Sequence, residues 1–139
     1  MTVATTNQTT DTFRPAVGQT LFMGYQNNMP YLVTVTGFHS DPSFTSELFS
    51  FTVHRTGRKD SSTLDGFKFF PEAAIDSKFV YAVMQRSEDF NYTIEEAYFF
   101  DPQSAFDHIA AIESGAATHR FGSDAAYDRS YFVQVEQII

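Results

Sequence analysis

Residues 31–38 read Tyr31-Leu32-Val33-Thr34-Val35-Thr36-Gly37-Phe38. Tyr31, Val33 and Val35 fall on one side of an extended chain and Thr34 and Thr36 on the other. That is the period-two pattern of a strand with one face buried. The pattern continues in both directions. Upstream, Gln19–Gln26 (QTLFMGYQ) reads as a strand, and Asn27-Asn28-Met29-Pro30 as the turn after it. Downstream, a loop with Gly37, Ser40, Asp41 and Pro42 leads to Glu47–Thr56. There Phe49, Phe51 and Val53 alternate inward against Ser50, Thr52 and His54, with Leu48 sharing the outward side. A Gly-and-charge turn then opens a short aromatic strand at Gly66–Phe70.

The second half changes character. Pro71-Glu72-Ala73-Ala74 has the form of one helical turn, with Pro where its missing N–H costs nothing. Lys78–Arg86 (KFVYAVMQR) is apolar on both faces, as in a central strand covered on both sides or a short buried helix. Tyr92–Phe100 reads as another strand. Asp101-Pro102 then signals a helix, Asp101 as cap and Pro102 at the first position. Phe106, Ile109, Ala110 and Glu113 recur at i, i+3, i+4 and i+7, Ile112 widens the stripe, and Gly115 supplies the left-handed stop. Arg129–Gln137 closes the chain as a strand. About seven strands, one main helix near residues 102–114 and no βαβ alternation predict an α+β fold. Its sheet should be mostly antiparallel and twisted, or a partly open barrel.

The chain has 139 residues, 16 Phe, 7 Tyr, no Trp and no Cys, and a formal net charge of −8. Its length fits a single α+β domain over residues 13–139. Residues 1–12, MTVATTNQTTDT, carry too little apolar surface to offset their ordering entropy and read as a flexible, Thr-rich polar arm. No membrane-length apolar run and no signal-peptide pattern occur, so the expected location is intracellular, cytoplasmic or in a virion. The acidic balance argues against direct nucleic-acid binding, since Arg55, Arg58 and Lys59 are half cancelled by Asp60 and Asp65. Without Cys there are no disulfides, thiol nucleophiles or Cys-ligated metals.

Catalytic signatures are sparse: no Gly-rich phosphate loop, no G-x-S-x-G and no H-E-x-x-H. The groups left for a His-dependent hydrolase or ligand pocket are His54, His108 and His119. His54-Arg55-Thr56 has the His-x-Thr form of two-histidine phosphoesterases, but those need two such units and a second is missing. His119 would meet Asp124 and Asp128 only if its loop folded back, and Glu113 lies off the helical face of His108. No metal and no cofactor are expected.

The aromatics carry more information. They fall in pairs, Phe69-Phe70, Phe99-Phe100 and Tyr131-Phe132, and neighbours in a strand point to opposite faces. One ring of each pair enters the core, and the other meets a second layer or a partner. Phe70, Tyr98, Phe100 and Tyr131 are the positions for such an interface. The sequence therefore points to a non-catalytic protein–protein interaction or assembly subunit, homo-oligomeric or bound to a foreign protein, with the arm as a tether. Virion decoration and tail proteins share this general make-up. Two alternatives come from other classes: a small acidic inhibitor of a nucleic-acid-handling enzyme, and a small His-dependent enzyme or ligand-binding domain.

Overall fold

The computed structural model describes residues 13–26, 28–87, 92–115 and 129–138. The Thr-rich arm and His119 lie outside the described residues, as do Asp124 and Asp128. Eight strands and one helix are present among the described residues, and the strands divide into two antiparallel sheets. Each sheet belongs to its own compact unit. One unit runs to Gln26 and resumes over Pro30–Ile75; the other is Asp76–Ile138 together with Met29.

The first unit holds β1 (Thr20–Tyr25), β2 (Tyr31–His39), β3 (Leu48–Val53), β4 (Lys59–Thr63) and β5 (Phe67–Phe70), in the spatial order β4-β3-β2-β1-β5. Only residues 64–66 join β4 to β5, although these are the two outer strands. Four residue-to-residue steps reach at most about 14 Å, whereas the outer strands of a flat five-stranded sheet would stand about 19 Å apart. The sheet must therefore curl. Phe67 on β5 accordingly meets Phe49 and Phe51 on β3, with ring centroids 5.6 and 6.4 Å apart. The link is stitched at both ends, Leu64 N–H donating to the Glu47 carbonyl and Gln26 N–H to that of Gly66. Gly66 has φ +94, and a Cβ there would sit 2.9 Å from the Tyr25 ring, so glycine alone suits this corner. β4 and β5 do not pair with each other, so the sheet is curled and open.

Inside the curl lie Leu21, Met23, Val33, Val35, Phe49 and Phe51, with Phe13, Phe38, Phe67 and Phe69 packed against them. The register explains this face. Leu21 opposes Val33, Val33 opposes Val53, and Val35 opposes Phe51, so the alternation in the sequence becomes one continuous apolar surface. Strict alternation from Tyr31 would place Phe38 on the threonine side. A bulge between Val35 and Gly37 inserts one residue, so Phe38 opposes Phe49 and returns to the core. β4 is the strand that periodicity did not reveal: Lys59-Asp60-Ser61-Ser62-Thr63 has no apolar side chain to alternate.

The second unit holds β6 (Phe79–Ser87), β7 (Tyr92–Phe99), α1 (Pro102–Glu113) and β8 (Arg129–Gln137), with strand order β7-β6-β8. β6 is the central strand its two-sided apolar pattern allowed. Val80, Ala82 and Met84 on one face cluster with Tyr98, Met29, Phe100 and Ile138. The other face lies beneath α1, where the His108 ring is 5.3 Å from that of Phe99. Asp101 caps the helix by accepting from Ser104 N–H at 2.8 Å, Pro102 follows, and Gly115 turns out at φ +85. The buried stripe is one residue out of phase with the expected one. Ala105 and Ile112 are buried, while Phe106, Ala110 and Glu113 are exposed. Small Ala105 lets the helix backbone approach the sheet, and the bulkier Phe106 is turned outward. Pro71–Ala73 makes a single turn closed by Ala73 N–H on the Phe70 carbonyl, without becoming a helix.

Candidate functional site

The aromatic pairs do split across the sheet faces, but two of them leave no ring for a partner. Phe69 joins the first core and Phe70 lies on the opposite face, only 4% exposed. Phe99 sits under His108, while Phe100 packs into the β6 cluster beside Tyr98, itself 6% exposed. Tyr131 is half-buried. Of these three pairs only Tyr131-Phe132 presents an exposed ring, and it is Phe132, at 37%. Among the described residues, the second unit's other exposed large apolar side chains are Phe79 (50%), Phe106 (55%) and Val135 (58%). Phe79 opposes Gln137 and Tyr81 opposes Val135, so Phe79 and Val135 share one sheet face. The sequence offered a signal for Phe106: Ala105, His108, Ile109 and Ile112 also form an i, i+3, i+4, i+7 stripe, and choosing it puts Phe106 outside.

The histidines are placed separately. His54 is exposed just past β3, and its Nε2 lies 2.7 Å from Thr34 Oγ1, which is also 2.7 Å from Thr20 Oγ1. With Ser50 Oγ 2.9 Å from Ser61 Oγ, the outer side of the first sheet carries a surface of short hydroxyls. A shallow open groove there is lined by Thr36, Ser50, Phe51, Lys59, Asp60 and Ser61. Asp60 is held below the ordinary carboxylate range by the Ser61 N–H and then by Arg58, so it stays a charged acceptor and not an acid. His54 contacts a neutral hydroxyl where a general base would want an orienting carboxylate. His108 is half-buried against Phe99. Among the described residues no three His, Asp or Glu side chains gather as a metal site requires. No described helix is long and apolar enough to cross a membrane.

The strand edges differ sharply. An edge strand offers unpaired backbone groups, and proteins guard such edges by shortness, charge or bulges. β4 is short and entirely polar, with an Arg58–Asp60 ion pair at its start. β5 is four residues long. β7 carries Glu95-Glu96 at a bulge, since Val83 opposes Ala97 and Met84 already opposes Glu95. β8 is neither short nor bulged, and its two charged residues, Arg129 and Glu136, stand near its ends. It runs nine residues in unbroken register from Phe79–Gln137 to Ser87–Arg129, and no described strand pairs with its outer side. Phe132 and Val135 lie on that strand.

Compared with known proteins, the chain matches no family model, no curated protein and no solved structure.

Proposed function

We propose that this chain is a non-catalytic protein-interaction or assembly subunit that docks through the exposed apolar side chains of its second unit. The supporting observation is that Phe132 and Val135 are exposed on β8, with Phe79 and Phe106 exposed in the same unit, and that β8 is long, free of bulges and without a described strand on its outer side. Apolar area left in water forgoes about 25 cal/mol per Å², and aromatic rings are what the buried centres of protein interfaces use. Among the described residues the hydrolase alternative is left with His54, facing a threonine hydroxyl, and His108, beside the Phe99 ring.

The test joins two measurements on the full chain. Light scattering across a concentration series, and on tagged chain isolated from its native cells, reads association. Turnover of simple ester and phosphodiester substrates reads catalysis. The expected result is a defined complex weakened in a folded Phe132→Ser/Val135→Ser variant, with no turnover. Turnover abolished by His54→Ala or His108→Ala, with association indifferent to the apolar variant, overturns the proposal.

A further inference from the structure

The phase of the β8 ladder determines what its open edge can accept. In an antiparallel pair, directly opposed residues alternate between exchanging both backbone hydrogen bonds and exchanging none. Phe79 opposes Gln137, so Lys78 stands opposite Ile138, and Ile138 N–H donates to the Lys78 carbonyl at 2.8 Å. Position 138 is therefore a bonded pair, and so by alternation are 136, 134, 132 and 130. The backbone groups of Val133, Val135 and Gln137 point away from β6, toward the open edge.

Val133 is the midpoint of Arg129–Gln137. A two-fold axis beside it, perpendicular to the sheet and on the outer side of β8, lays a second β8 antiparallel to the first along its whole length. Val133 then meets Val133 of the second copy through outward-facing backbone groups on both sides. On the same face Tyr131 comes opposite Val135, an aromatic–β-branched pair of the kind that stabilises sheets. On the other face Phe132 comes opposite Gln134, and Ser130 opposite Glu136. No like charges oppose one another. The strand carries one basic and one acidic residue, Arg129 and Glu136, within a chain of net charge −8. Moving the axis beside Phe132 or Gln134 keeps the hydrogen-bond phase but leaves two positions overhanging on each strand, and moving it beside Tyr131 or Val135 leaves four.

We infer that the partner of the β8 edge is a second copy of this chain, joined by β8–β8 pairing about Val133 into a continuous six-stranded antiparallel sheet. The inference rests on the interaction role proposed above and names its partner. Other β8-like edges in solution are the natural competitors, and a closed two-fold pair leaves none of them open.

The experiment is sedimentation equilibrium on the full chain and on Val133→Lys and Val133→Glu, alone and mixed, with circular dichroism checking the fold. Each single variant puts like charges directly opposite at the axis and should weaken dimerisation by about tenfold or more. Mixing the two puts Lys opposite Glu and should restore the dimer. Should either variant fail to fold, Val135→Pro replaces it, because that change removes an outward N–H and no bond to β6. A wild-type chain that stays monomeric at every concentration overturns the second-copy inference, while the interaction role is judged by its own test. Dimers indifferent to positions 133 and 135 overturn the β8 assignment and leave an association through another surface.

Discussion

The first sheet hides its apolar face by curling over it, and its aromatic rings reach across the strands to close the core. The second sheet lays its strands side by side and borrows a helix for one face. Two consequences separate them. The curled sheet ends in short or polar strands, β5 and β4, whereas the second ends on one side in the nine unbroken residues of β8, with no described strand beyond it. The first core among the described residues is apolar, while the second buries Gln85 and Glu96, hydrogen-bonded from Gln85 Nε2 to Glu96 Oε2, with Gln85 Oε1 unpartnered. Curling trades edge for core. A layered sheet keeps an edge that something else must cover.

The largest expected effect is at the centre of the curl. Phe49 is fully buried, and its ring centroid is 5.0 to 5.9 Å from those of Phe51, Phe67 and Phe69. Phe49→Ala should remove about 3–5 kcal/mol, read as a lower urea midpoint and lost hydrogen-exchange protection across β1–β3. A loss under about 1 kcal/mol would mean that the rings do not close this core.

The polar pair in the second unit gives a middle-sized effect. Gln85→Leu takes a donor from buried Glu96 and should cost about 1–3 kcal/mol. Gln85→Leu with Glu96→Leu should recover most of it, because replacing both partners by apolar groups removes the demand. A double variant worse than the single would show that the pair is needed as a pair.

Asp101→Ala tests the helix that covers the second sheet. Losing the cap on Ser104 N–H should cost about 1 kcal/mol, seen as earlier exchange of the first-turn amides. An unchanged exchange pattern would place helix stability in packing alone.

The smallest effect is in acid. Glu47 is lowered by its hydrogen bonds from Arg14, Asp60 by Ser61 N–H and Arg58, and Asp65 by Ser46. All three belong to the first unit. With folded values depressed, the unfolded chain binds more protons, so their contribution is present above their ordinary values of 4.5 and 3.8 and fades as pH falls through the folded ones. The groups are solvent-exposed, so the loss should be slight, and it should appear in β1–β5 amides before β6–β8 amides. The opposite order would reverse this part of the contrast.

How legible all this was depended on the kind of signal. Tyr31–Val35, Phe49–Val53 and Arg129–Gln137 were readable as strands because a half-buried strand must alternate, and alternation survives without any knowledge of neighbours. Asp101-Pro102 and Gly115 marked the helix because caps are local chemistry. β4 was invisible, since a polar edge strand owes its shape to the ladder beside it. Phe70 and Tyr98 resembled interface rings because a sequence shows that two faces exist, not what covers each.

The sequence by itself determined the strands with alternating faces, the helix and its limits, and the antiparallel character, all set by interactions within a few residues. Tertiary structure alone decided the division into two sheets, the curl forced by a three-residue link, the bulge that returns Phe38 to the core, and the one-residue rotation that exposes Phe106. Each of these depends on which distant strand or helix lies alongside, and pairing between distant segments leaves no periodic trace in either of them.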